Sequence, residues 1–304
     1  YASKVFLFLL FFFYGAKLAP RETLLGLKNW RLHAVIFCFT FILFPIIGVG
    51  LKYATIGWLG QGLALGLLYL TLVPGTVQSS IAFTSVAHGN VAGAIVASSL
   101  SNILGVFLTP LLVMLTMATT GDVHITGRSI LDIFLQILLP FIIGQLLHKY
   151  LGPGLNRHPI LTKTVDRGTI WINVYTAFSQ AVVEGVWMRV TALHLLALVG
   201  ICIAVVSLVL VLSWCMAKGL GFNREDCIAA QFCGSKKSLS SGIAMGAVLF
   251  AGSTGELSAG ILMLPLMLFH LFQLLICAVL AGRYGRQWER EHTHAHANDQ
   301  GAAQ

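Results

Sequence analysis

The sequence predicts an all-α polytopic membrane protein with two inverted repeats and two crossed, discontinuous helices. Of its 304 residues, 57% are hydrophobic and only 10% are charged, which is too apolar for a water-soluble domain of this size. Apolar runs of bilayer length recur along the chain, and two of them are interrupted by proline, glycine and hydroxyl residues. These runs leave no room for a soluble catalytic domain.

About nine apolar runs are long enough to cross a bilayer as helices, each using about 20 residues. They lie at residues 2–18, 32–52, 57–87, 91–118, 129–150, 168–187, 193–217, 226–250 and 257–281. Most lysine and arginine residues fall in the loops after the odd-numbered spans, so the positive-inside rule places those loops and the C-terminus in the cytoplasm. The sequence thus predicts an integral protein of the plasma (inner) membrane. Because an odd number of spans leaves Tyr1 outside, we expect a further apolar helix upstream.

The charge pattern excludes a nucleic-acid-binding protein and predicts a polar tail. The net charge is +8, but the basic residues are dispersed between apolar runs and form no block with exposed aromatic residues. Residues 283–304 are polar, and we expect them to be mobile after their first helical turn. The lipid bilayer is therefore the expected partner.

Two predicted spans contain residues that weaken a helix at membrane depth, at positions 74–80 and 233–242. Backbone groups freed from a helix in the hydrocarbon region need partners in protein or in a wet cavity, so these breaks indicate the interior of the bundle. Each broken span is followed by a span with a central proline, Pro110 in one case and Pro265 in the other. The two broken spans run in opposite directions in the predicted topology, as the paired discontinuous helices of inverted repeats do.

Two adjacent lysines, Lys236 and Lys237, lie near the middle of the eighth predicted span. A lysine at such a position costs roughly 2.5–3.5 kcal/mol on insertion scales. No acidic residue lies deep in a predicted span to neutralise them, since Asp132 and Glu184 are near span ends. The charge must be held by carbonyls, hydroxyls and water, be lost by deprotonation, or be met by an anionic ligand.

Further polar residues of the predicted spans are candidates for a shared cavity. They are Gln78, Ser79, Ser80, Thr84, Ser85, Ser98, Ser99, Ser101, Asn102, His270 and Gln273. His270 and Gln273 are three residues apart and therefore share one helix face.

The lysine-containing segment does not predict an enzyme. Residues 234–238 lack the glycine spacing of a phosphate-binding loop. A serine–lysine nucleophile pair would need an oriented third group, which the sequence does not indicate.

Several segments together resemble the bile acid:sodium symporter superfamily, and the last two resemble its SBF-like branch. They are Pro74-Gly75-Thr76 and residues 88–92, 108–112, 237–245 and 265–273. The resemblance implies ten helices in two inverted five-helix repeats, forming a core domain with two crossed, unwound helices and a panel domain. It assigns residues 1–31 and 129–192 to the panel, 32–128 and 193–282 to the two core repeats, and 283–304 to a cytoplasmic tail. The helix missing here would be the first panel helix.

The resemblance also implies where ions would bind in sodium-coupled relatives, at polar side chains and carbonyls of the crossing. The matching positions here are Ser79, Ser80, Ser98, Ser101 and Asn102, of which Ser79, Ser80, Ser98 and Asn102 are the candidate Na⁺ ligands.

Three departures from the family pattern argue against sodium coupling. Thr40 stands where a glutamine is expected, Phe232 stands near the acidic position, and Lys236 replaces a second glutamine. Ammonium groups in a low-dielectric site would repel Na⁺.

The sequence therefore predicts a secondary active transporter of a small organic anion that works by alternating access. Lys237, beside Ser238, is the preferred source of positive charge at the crossing, and Lys236 is second. No cofactor is expected, and the candidate coupling ions are Na⁺ and H⁺. Two alternatives stay open: an ordinary Na⁺-coupled symporter, and a non-transporting membrane regulator of ion homeostasis.

Overall fold

A computed structural model describes residues 2–17, 29–118, 134–157, 159–183, 190–251, 253 and 257–302. These residues form an all-α fold that begins with α1 (Ala2–Lys17) and α2 (Trp30–Leu59), the latter containing a π-helical turn at Phe39–Leu43. The helices that follow are α3 (Gln61–Leu72), α4 (Gln78–Val86), α5 (Val91–Val113), α6 (Leu139–Leu146), α7 (His148–Arg157), α8 (Pro159–Val183), α9 (Ala192–Gly219), α10 (Arg224–Gly234), α11 (Leu239–Leu249) and α12 (Ala259–Ala302).

Helices of membrane-spanning length and composition confirm an integral membrane protein. In the described part of the chain, four helices are long and apolar enough to cross a bilayer, and they lie at Trp30–Leu59, Val91–Met117, Ala192–Gly219 and Ala259–Glu291. Shorter apolar helices occur at Val5–Ala16, Gln61–Leu72 and Phe134–Leu146.

Both predicted interruptions are present but are shorter than the sequence indicates. The first leaves residues 73–77 non-helical between α3 and α4, and the second leaves residues 235–238 non-helical between α10 and α11. Gln78, Ser79 and Ser80, predicted to be unwound, form the first turn of α4. In the second case the Ser238 side chain accepts a hydrogen bond from the backbone N–H of Ser241, so α11 restarts immediately after this N-cap.

Several predicted helix boundaries were wrong, of which three show a physical cause or change the expected architecture. The second span continues past residue 52 to Leu59, because Gly57 keeps a helical conformation and the helix ends only at Gly60, whose φ is 87°. The sixth starts at Pro159 rather than 168, because proline is favoured in the first helical turn and the polar residues after it are compatible with a helix. The tail expected to be mobile is helical as far as Ala302.

The helices form two groups according to their packing. Helix α1 packs against α6, α7 and α8, and glycines allow the close approach of α1 to α6. A Cβ atom at Gly15 would collide with the carbonyl oxygen of Phe141, and one at Gly144 would collide with that of Phe12. In the other group, α3 packs against α2 and crosses α12, and α9 packs against α10 and α12.

Four chain segments meet at one end of the helix group that contains α2, α3, α9, α10 and α12. The side-chain amides of Asn29 and Asn90 donate to the two carboxylate oxygens of Asp226 at 3.0 and 2.7 Å. The guanidinium group of Arg224 donates to the carbonyl oxygen of Tyr284 at 3.0 Å. The start of α2, the α4–α5 loop, the start of α10 and the polar part of α12 therefore share one side of the protein, as the predicted topology requires.

Candidate functional site

The two helix breaks contact each other. The backbone N–H of Ser238 donates to the carbonyl oxygen of Pro74 at 2.8 Å, and the Ser80 hydroxyl donates to the carbonyl oxygen of Phe232 at 3.2 Å. Backbone groups that lose helical partners at one break thus find them at the other, which satisfies the requirement for internal pairing at membrane depth.

Lys237 is fully buried, and its ammonium group is surrounded by backbone carbonyls. Its Nζ donates to the carbonyl oxygens of Thr40, Thr71 and Val73 at 2.9, 2.8 and 2.9 Å, and it lies 4.2 Å from the centre of the Phe44 ring. An ammonium group has three N–H donors, so all three are used. Thr71 and Val73 are at the C-terminal end of α3, where carbonyls lack helical partners and the helix dipole is negative.

Lys236 is also fully buried but has different surroundings. Its Nζ donates to the carbonyl oxygen of Ser79 at 2.9 Å. The same atom lies 4.0 Å from the ring centre of Phe83 and 5.2 Å from that of Phe232. These aromatic faces attract a cation, so Lys236 has one carbonyl and two rings as partners, whereas Lys237 has three carbonyls and one ring.

One glutamine supports the backbone of the second break. The N–H of Lys237 donates to Oε1 of Gln273 at 2.8 Å, and Nε2 of Gln273 donates to the carbonyl oxygen of Lys237 at 2.8 Å. Nε2 also lies 2.7 Å from Nδ1 of His270, which must be the acceptor because an amide nitrogen only donates. The predicted common face of His270 and Gln273 is confirmed.

Two predicted polar residues of α5 support the first break. The Ser101 hydroxyl accepts from the N–H of Gly75 at 3.2 Å, and the Asn102 amide donates to the carbonyl oxygen of Gly75 at 2.8 Å. Asn102 also accepts from the hydroxyl of Ser241 at 2.9 Å, which links this break to α11.

The hydroxyl groups of two other candidate Na⁺ ligands, Ser79 and Ser98, form hydrogen bonds within the protein. Ser79 lies 2.7 Å from the Thr76 hydroxyl, and the Ser98 hydroxyl donates to the Cys233 sulfur at 3.5 Å. The Ser79 carbonyl, which could otherwise face a cation, accepts from Lys236.

A cavity of about 660 Å³ lies between α1, α6 and α8 on one side and the two breaks on the other. Its lining includes six predicted residues, which are Gln78, Ser79, Ser99, Asn102, Ser238 and His270. The other predicted residues are not part of it, and they are Thr40, Ser80, Thr84, Ser85, Ser98, Ser101, Lys236, Lys237 and Gln273. A hydrogen bond crosses the cavity, because the hydroxyl groups of Tyr14 in α1 and Ser240 in α11 are 3.0 Å apart. The structure thus separates the lysines from the space that a solute could occupy.

The charged residue of this cavity, Arg167, is among the lining residues that sequence reasoning missed. The prediction placed it in a loop before a span starting at residue 168, but it lies within α8 and lines the cavity. A usable signal was Pro159, a typical first residue of a helix, which would have extended α8 to include the arginine.

Comparisons with known proteins agree with these observations. The model of the SBF-like CPA transporter family matches residues 1–286. The chain is 48% identical over 279 residues to "Uncharacterized protein PA2026" of Pseudomonas aeruginosa, covering 92% of this chain and 83% of that one. It is 45% identical over 285 residues to "Putative symporter YfeH" of Escherichia coli K12, covering 93% and 83%. It is 28% identical over 273 residues to "Sodium/bile acid cotransporter 7" of Xenopus tropicalis, covering 89% and 78%.

Proposed function

The chain belongs to the SBF-like CPA transporter family, and we propose that it is a secondary active transporter that moves a small organic anion by alternating access. The observation that carries this proposal is the position of the cavity, between the group of α1, α6, α7 and α8 and the contact of the two helix breaks. A solute site at broken helices, between two groups of helices, is the arrangement in which one group can move against the other to change access.

The packing supports the division that the family resemblance implies. Residues 1–31 and 129–192 would form the panel. Of their described helices, α1, α6 and α7 pack mainly among themselves, whereas α8 contacts α1 and α7 on one side and the core helices α11 and α12 on the other. Residues 32–128 and 193–282 would form the two core repeats, each with one broken helix. The close contacts of Gly15 and Gly144 within the panel favour its movement as a unit.

We further propose that this transporter does not require sodium. The three carbonyls around the Lys237 ammonium are the type of ligand that a bound Na⁺ would use, and Lys236 occupies the carbonyl of Ser79 in the same way. Two unit charges 4 Å apart repel by about 4 kcal/mol at an effective dielectric constant of about 20. A cation entering this region would bind against that repulsion.

An ordinary Na⁺-coupled symporter is the second candidate. It is favoured by the name of the Xenopus relative and by hydroxyl and amide groups near the breaks, such as Ser79 and Asn102. Protein that transports a solute only in a sodium gradient would support this candidate over the sodium-independent one.

Uptake of a radiolabelled bile acid, cholate, into proteoliposomes tests the transport proposal. We expect saturable uptake that Leu274→Trp abolishes, because Leu274 lines the cavity and the indole would fill it. The matched control is Leu275→Trp, since the neighbouring side chain is 55% exposed on the outside of the bundle and should leave uptake unchanged. Equal uptake by the two variants would contradict transport through this cavity.

A further inference from the structure

The cavity has a positive electrostatic character that the lysines do not provide. Among its described lining residues, Arg167 is the one that carries a permanent charge, and none is acidic. An arginine has five N–H donors and cannot lose its charge in a protein, so it retains the capacity to bind an anion.

Arg167 lies more than two turns into α8, and its side chain is exposed rather than packed in the core. It is eight residues after Pro159, the start of α8, which places it about 12 Å along the helix at about 1.5 Å per residue. The body of α8, rather than its first turn, therefore carries a positive charge to the wall of the cavity.

Two helix N-termini add to the positive potential. Gln78 and Ser79 belong to the first turn of α4, and Ser238 and Leu239 form the start of α11; all four line the cavity. The N-terminus of a helix carries a partial positive charge and favours negatively charged groups. The cavity therefore combines a guanidinium group with two positive helix ends.

The buried lysines are unsuited to bind the solute directly. All three N–H donors of Lys237 bond to carbonyls, and Lys236 is held by the Ser79 carbonyl and two phenylalanine rings. Neither residue lines the cavity. The charge that attracts the solute and the charge that replaces a cation are thus on different residues.

We propose that Arg167 binds the acidic group of an amphipathic organic anion, whose apolar body lies against Ile103, Phe141 and Leu239. This inference rests on the proposed function and names the group that selects its substrate. The planar guanidinium can bind a carboxylate or sulfonate through two parallel hydrogen bonds. A cavity of about 660 Å³ is in the range that holds a drug-sized molecule.

Protection of a cavity cysteine from alkylation tests this site without transport. Ser99 lines the cavity, so Ser99→Cys would be labelled with the neutral reagent N-ethylmaleimide. The background carries Cys38→Ser and Cys215→Ser, because the other four cysteines are buried. The probes are octanesulfonate, octyltrimethylammonium with the same apolar chain, and methanesulfonate with the same acidic group.

We expect octanesulfonate to slow labelling, octyltrimethylammonium to have no effect, and methanesulfonate to need at least about tenfold higher concentration because it lacks an apolar body. Arg167→Gln should raise the protecting concentration of octanesulfonate about tenfold or more, and Arg167→Lys should recover part of that loss. Arg283→Gln, which removes a charge from the exposed part of α12, should change nothing.

Equal protection by the cationic probe, no protection by octanesulfonate, or an unchanged result in Arg167→Gln would overturn the proposal. Cholate uptake by the same variants separates it from the transport proposal. Arg167-dependent protection without any uptake would refute transport and leave the anion site intact. Uptake that is unaffected by Arg167→Gln would refute the anion site and leave transport intact.

Discussion

The ammonium group of Lys237 lies 2.9 Å from the carbonyl oxygen of Thr40, so the second broken helix is bonded directly to helix α2. Thr40 lies in the π-helical turn of α2, and its own hydroxyl bonds back to the carbonyl oxygen of Ile36. A π-helical turn alters the regular carbonyl pairing of a helix. Thr40, which stands where the family resemblance implies a glutamine, therefore contributes a backbone carbonyl to this hydrogen bond, and Lys237 contributes the side chain.

Replacing Lys237 should destabilise the protein strongly. Lys237→Gln leaves at least one of three buried carbonyls without a donor, and we expect the free energy of unfolding to fall by about 3 kcal/mol. Lys236→Gln should cost less, about 1–2 kcal/mol, because Lys236 bonds to one carbonyl. Thermal unfolding of both purified variants in the same detergent measures the difference. Equal losses of unfolding free energy in the two variants would contradict the special role of the three carbonyls that bind the Lys237 ammonium group.

Removing the Lys237 charge should also make the thermal stability of the protein depend on sodium. We expect the melting temperature of Lys237→Gln to rise with Na⁺ but not with K⁺, because a ligand that binds the folded state stabilises it. The wild type and Lys218→Gln, whose substitution is at the end of α9, should respond equally to the two ions. Selective stabilisation of the wild type by Na⁺ would show that a cation already binds beside the lysines.

The breaks could be predicted because their cause is local. Proline removes a backbone donor and glycine weakens a helix, and at both breaks one or both of these residues occur next to hydroxyl residues that can bond to freed backbone groups. Proline alone is not sufficient, because Pro110 and Pro265 lie inside continuous helices. The restart of α4 at Gln78 could not be predicted in the same way, since hydroxyl residues are compatible with either state.

The orientation of side chains could not be predicted from the sequence, because it depends on tertiary contacts. The sequence shows that Lys237 is buried without an acidic partner, but not that the end of α3 directs carbonyls towards it. Arg167 was missed for another reason: hydropathy selects the apolar part of a helix, and α8 begins with a polar segment. The residue therefore fell outside the predicted span.

The close packing of α1 on α6 should be sensitive to a single methyl group. In Gly144→Ala the new Cβ atom would collide with the Phe12 carbonyl, and we expect a loss of about 1–3 kcal/mol in unfolding free energy. Gly50→Ala is the matched control, because no atom lies within 4 Å of a Cβ at that position of α2. It should be neutral or slightly stabilising. Similar melting temperatures for both variants would argue against this contact.

The side of the membrane that holds the C-terminus can be measured with an impermeant thiol reagent. Arg290→Cys, on the exposed part of α12, should be labelled in inside-out vesicles and protected in intact cells. Leu193→Cys, at the opposite end of the predicted topology and 73% exposed, should show the reverse. Labelling of Arg290→Cys in intact cells would invert the predicted topology.

The most direct test of the lysine-for-sodium account is the initial rate of cholate uptake into proteoliposomes when external Na⁺ is replaced by K⁺ at fixed pH and membrane potential. The account predicts the same rate in both ions, because the ammonium groups of Lys236 and Lys237 already occupy carbonyls that a coupling cation would use. A large loss of wild-type uptake on replacing Na⁺ with K⁺ would contradict it and identify an ordinary sodium symporter.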